Sequence, residues 1–168
     1  MISDQGQQLV QYLAEIAGAP VYRAESKRDP QYAPLIGNVR AFNDGTSIVL
    51  RPEIVDNLLR LQQVGAGTQI DPSMQLWKNT ARDLYAFAHE MGHFRKGILD
   101  GDPAARQRIE DASNTWAFNH LKPLARRMGL SKAQAQAVYQ ALPAKYRAWH
   151  AGNRWSPDVM VPPKRLGG

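Results

Sequence analysis

The pattern of apolar and polar positions divides the chain into helical stretches and one sheet signal. Leu9, Val10, Tyr12, Leu13 and Ile16 recur at helical spacing, and Gly18 and Pro20 end that run. Residues 24–37 carry Pro30, Pro34 and Gly37 among charges and read as loop. Val39-Arg40-Ala41-Phe42 and Thr46-Ser47-Ile48-Val49-Leu50 flank Asn43-Asp44-Gly45, a turn whose residues tolerate positive φ, so a hairpin is expected. A helix over 52–63 follows, with Pro52 in its first turn, Ile54, Val55, Leu58, Leu59 and Leu61 on its apolar side, and Gly65-Ala66-Gly67 after it. Asp71-Pro72 sets an N-cap and a first-turn proline for a pattern running to Gly97, either unbroken or with a break near Asn79-Thr80. Asp102-Pro103 repeats the signal for a helix expected to stop before Pro123. Ser131 and Gln134 have capping-box spacing for a helix to Ala141, and Pro143 starts a short one ending near Gly152. The pattern predicts an α+β, mostly helical fold with a small antiparallel sheet or hairpin. It fits a single domain over 1–155 and an irregular tail over 156–168.

Composition narrows the function classes. Of the 168 residues, 43% are hydrophobic and 21% charged, which are globular proportions. No apolar run is long enough to span a membrane, and no membrane partner is expected. Met1-Ile2-Ser3-Asp4-Gln5-Gly6 has neither a basic start nor an apolar stretch, so no secretory signal is seen and a cytoplasmic location is expected. The absence of cysteine excludes thiol catalysis and cysteine-ligated metals. Residues 1–119 hold 12 Lys/Arg against 14 Asp/Glu, a net −2, whereas residues 120–168 hold nine against Asp158 alone, a net +8. A basic C-terminal third fits either a solvated surface or nucleic acid as a partner.

The chemistry concentrates in His89-Glu90-Met91-Gly92-His93. Histidines four residues apart on a helix lie about 40° apart, so His89 and His93 can meet one metal ion. Glu90 lies about 100° round from His89, beside that metal, where it can polarise water and take its proton. Leu76, Thr80, Leu84, Phe87, Met91, Phe94 and Ile98 fall on the opposite side, so the histidines are expected away from the apolar face, with Gln75, Arg82 and Lys96.

A catalytic zinc ion takes three protein ligands and keeps one position open. The chain turns back at Leu99-Asp100-Gly101, and His93 and His89 stand about 9 and 15 Å above that turn, which on the returning helix corresponds to residues 109–113. Glu110 and Asp111 fall in this range. Glu110 is the preferred third ligand, lying between Ala117 and Leu121 on the edge facing the partner helix, and Asp111 is the alternative. The apolar side is expected to include Ile109, Ala112, Trp116, Ala117 and Leu121, and Asn114 could orient the Glu110 carboxylate. His120 sits too far along the helix, at about 25 Å. Tyr139, Tyr146, Arg147 and His150 stay open as oxyanion-stabilising groups.

Ala88-His89-Glu90-Met91-Gly92-His93-Phe94 resembles the active-site helix of zincin metallopeptidases. Glu110-Asp111-Ala112-Ser113-Asn114-Thr115-Trp116-Ala117-Phe118, ending at Leu121-Lys122-Pro123, resembles the glutamate helix of the gluzincin branch and is similar to that of ImmA/IrrE-type peptidases. The resemblance covers residues 38–123. It implies a minimal zincin core, with the sheet beside an HExxH helix and an antiparallel glutamate helix. The function expected is a zinc-dependent endopeptidase acting on a protein or peptide, regulatory or toxin-like and narrow in range. The strand Thr46–Leu50 is expected to pair with an extended substrate. Residues 124–141 resemble a helix-turn-helix, but the second helix offers mostly Ala and Gln to bases, which favours a helical hairpin burying Leu124, Met128, Leu130 and Val138. The alternative function is a nucleic-acid-binding regulator with a structural or inactive peptidase-like core.

Overall fold

The structure, a computed structural model, describes residues 4–24, 41–43, 47–63, 75–96 and 102–142. The elements run α1 (Asp4–Ala17), β1 (Val21–Arg23), β2 (Ala41–Asn43), β3 (Ile48–Leu50), α2 (Pro52–Gln63), α3 (Gln75–Lys96), α4 (Pro103–Arg127) and α5 (Lys132–Ala141). The fold is α+β and mostly helical, as the pattern predicts. The expected segments 71–74 and 143–152, and the tail over 156–168, lie outside the described residues. No helix among the described residues is long and apolar enough to cross a membrane.

The sheet is larger than the hairpin alone. β2 and β3 pair antiparallel as the hairpin signal predicts, Ala41 opposite Leu50, but Asn43, expected in the turn, is a strand residue opposite Ile48. β1 then adds on the other side of β3, parallel, Val21 opposite Ile48. The sheet is therefore mixed, in the order β1-β3-β2. Three residues after a proline give too short an alternation for β1 to show in the sequence. β3 is buried along its whole length, which suits the unbroken run Ile48-Val49-Leu50. Its two edges are both hydrogen-bonded, so the expectation that Thr46–Leu50 receives a substrate strand is not met. Among the described residues the outer edges belong to β1 and β2.

α3 is the central helix. Its expected apolar stripe is present, with Thr80, Leu84, Phe87 and Met91 buried. The opposite side, which carries the histidines, is covered as well. Asp83, His89, Glu90 and His93 are buried too, the two histidines under α4, against which α3 packs most extensively. Asp83 faces α2, where Asn57 donates to its carboxylate at 2.7 Å.

α4 starts as Asp102-Pro103 predicts, the Asp102 carboxylate accepting from the Ala105 N–H at 2.8 Å. It does not stop before Pro123 but runs on to Arg127. Proline removes the bond to the carbonyl four residues back, here Asn119, and both residues are exposed, so water can serve that carbonyl. Leu121, Leu124 and Ala125 meanwhile hold the helix to the core. The buried face is also turned from the expected one. It carries Glu110, Ser113, Asn114, Ala117 and Leu121, whereas Ile109, Ala112 and Trp116 are half-buried.

Gly129, at φ 96°, turns the chain from α4 into α5, a conformation that suits glycine. The Ser131–Gln134 capping box forms in both directions, at 3.1 and 2.9 Å. Leu124, Met128, Leu130 and Val138 are all buried, so 124–141 is a helical hairpin packed on the core. Ser131→Ala should therefore lower stability by about 1 kcal/mol, read as a shifted urea midpoint at unchanged slope.

Candidate metal centre

Two helices build the site. α3 supplies His89 and His93, one turn apart, and α4 supplies Glu110. All three are buried, at 0, 4 and 0% exposure. The Nε2 atoms of the two histidines stand 3.1 Å apart. Glu110 Oε1 lies 3.4 Å from His89 Nε2 and 3.1 Å from His93 Nε2. Asp111 is placed elsewhere, accepting from Gln107 Nε2 at 2.9 Å on its own helix.

The second nitrogen of each ring decides what the first can do. His89 Nδ1 lies 2.7 Å from Asn114 Oδ1, which also accepts from the Tyr85 hydroxyl at 3.0 Å. An amide oxygen can only accept, so Nδ1 carries the proton and Nε2 keeps its lone pair. His93 Nδ1 lies 3.2 Å from Ser113 Oγ, which can accept from it in the same way. Asn114 thus acts on His89, where the sequence suggested the Glu110 carboxylate.

Two imidazole lone pairs and a carboxylate oxygen, crowded together away from water, repel one another unless a cation or proton lies among them. Ligands about 2.0–2.1 Å from a tetrahedral ion stand about 3.3 Å apart. The three separations of 3.1, 3.1 and 3.4 Å match that edge length. His89, His93 and Glu110 thus form a group that could hold a metal ion. Two nitrogens and one carboxylate oxygen are donor types that zinc, among other divalent ions, accepts.

Comparison with protein-family models, curated proteins and solved structures finds no match. The site itself therefore carries the functional argument.

Glu90 follows His89 on α3 and is 2% exposed. His120 stands apart, exposed, with its Nδ1–H donated to the Trp116 carbonyl at 2.7 Å and its ring stacked on the Trp116 indole. Tyr139 packs edge-on against Phe118, under the Lys122 ammonium. Tyr146, Arg147 and His150 lie outside the described residues.

The sequence reading left out Gly92 and gave no role to Ser113 or Tyr85. A Cβ on Gly92 would meet the Ser113 carbonyl oxygen at 3.0 Å and its Cα at 3.1 Å, so any larger residue would press the two backbones apart by a few tenths of an ångström. A glycine inside a helix costs about 1 kcal/mol against alanine, and that cost was the available signal of a packing reason. For Ser113 the signal was polar spacing, since Glu110, Ser113 and Asn114 share one face with Ala117 and Leu121. Asn114→Ala should weaken zinc binding about 10–100-fold by competition with a chromophoric chelator, and Asp111→Ala should leave it unchanged. Gly92→Ala should lower both stability, by about 1–3 kcal/mol, and zinc affinity.

Proposed function

We propose that the protein is a zinc-dependent endopeptidase, with His89, His93 and Glu110 holding the metal and Glu90 as general base. The observation that carries this reading is the convergence of the two Nε2 atoms and Glu110 Oε1 within 3.1–3.4 Å, inside a His-Glu-x-x-His helix. Zinc held by such a set supplies a Lewis acid that polarises a carbonyl and lowers the pKa of water.

The chain's own residues do the rest. Asn114 orients the His89 ring and favours its Nδ1–H tautomer, and Ser113 orients the His93 ring, so the ligand rings are held in place by the chain's own contacts. The Glu90 carboxylate accepts a proton from the attacking water and passes it to the leaving amine nitrogen as the C–N bond breaks. An extended substrate would add to the outer edge of β2, the strand in most extensive contact with α3. A narrow protein substrate range, regulatory or toxin-like, belongs to the same proposal.

A second reading, nucleic-acid binding with a structural core, is favoured by one observation. Lys122, Arg126, Arg127 and Lys132 are all exposed around the turn between α4 and α5. Zinc content of the purified protein, together with DNA binding at two salt concentrations, separates the readings. Bound zinc with weak, salt-insensitive DNA binding supports the enzyme; a metal-free protein with a steep salt slope supports the regulator.

Glu90→Gln keeps the side-chain shape and removes the proton acceptor. Peptide hydrolysis should fall by at least about a hundredfold while zinc is retained, measured on a fluorogenic peptide library. Turnover close to that of the parent protein would remove Glu90 from its role.

A further inference from the structure

A groove of about 220 Å³ lies where the ends of α1 and α3 meet the second half of α4. Its floor is apolar, built from Ile16, Met91 and Leu124, each at least 95% buried. One wall is the Trp116–His120 stack, with ring centroids 3.9 Å apart and planes 11° from parallel. The lip carries Arg95 of α3 and Arg127 of α4, both exposed. Among the described residues no acidic side chain lines the groove. Arg95 stands one turn after Met91 on α3, and Trp116, His120 and Arg127 follow a stripe along α4, so charge and apolar surface face one opening.

This surface asks for an occupant with an anionic head and a flat apolar body. The volume is below the roughly 300–1,000 Å³ of sites that enclose larger ligands, so it suits one ring and a short acid arm. A planar guanidinium matches carboxylate and phosphate alike through paired N–H bonds, and the small volume favours the flatter, smaller carboxylate. A ring lying against Met91 and beside the aromatic stack gains sulfur and π contacts in addition to burial. We infer that the groove binds a small free aromatic monocarboxylate, held by Arg95 and Arg127 at its carboxylate and by Met91, Trp116 and Leu124 at its ring. Bound there, the acid bridges α1, α3 and α4. This assignment is independent of the peptidase reading.

Hydrocinnamate is a suitable probe. Titrated into the full chain, it should bind saturably by calorimetry and shift the Trp116 indole N–H resonance, assigned through Trp116→Phe. Its neutral amide should bind at least about tenfold more weakly, the loss expected for a charge-assisted pair. The double variant Arg95→Gln with Arg127→Gln changes only exposed positions and should keep its thermal midpoint while losing affinity for hydrocinnamate by a similar factor. Absence of saturable binding, equal binding of acid and amide, or undiminished binding by the folded double variant would overturn the assignment. So would tighter binding of a short peptide ending in phenylalanine, which would assign the groove to a protein terminus.

Discussion

The site depends on the close approach of two helix backbones. Gly92 of α3 faces the backbone of Ser113 of α4 so closely that an added Cβ would lie 3.0–3.1 Å from it. At that separation serine and asparagine, both short, reach across to the imidazoles, Ser113 to His93 and Asn114 to His89. Glu110, one turn earlier on α4, reaches the same two rings. Spreading the helices by the width of a methyl group would draw all three contacts apart together, since they sit on one rigid face.

Such a polar cluster is expensive inside a protein unless every member is satisfied. Here the walls are apolar, with Tyr85 against Phe118 at 4.9 Å, and Ala117 and Leu121 wholly buried. Tyr85 also joins the network through Asn114, so one aromatic side chain both packs the core and orients a ring nitrogen. The Nε2 atoms and Glu110 Oε1 are left facing one another at 3.1–3.4 Å. A cation among them relieves their repulsion, so metal binding and folding should be linked, with the loaded protein the more stable.

Much of this was legible in the chain because helical geometry is regular. The spacing of His89 and His93, and the heights that bring Glu110 level with them, follow from 1.5 Å and 100° per residue. Caps were legible for the same local reason, as at Asp102 and Ser131. What depended on tertiary context was not. The hydrophobic face of α4 could not reveal that its buried centre would be Glu110, Ser113 and Asn114, because those residues are buried for their partners and not for their apolarity. Pro123 argued for a helix end, yet packing of Leu121 and Leu124 carried α4 past it. β1 was hidden by its three-residue length, and with it the fact that β3 is a central strand.

The central claim is that two imidazoles and one carboxylate hold a single zinc ion. Zinc-edge X-ray absorption of the zinc-loaded protein tests it most directly. The account predicts four-coordinate zinc with two imidazole nitrogens at about 2.0–2.1 Å, and one imidazole lost in His93→Ala. A six-coordinate shell of oxygen alone, or an imidazole signal unchanged in that variant, would contradict it.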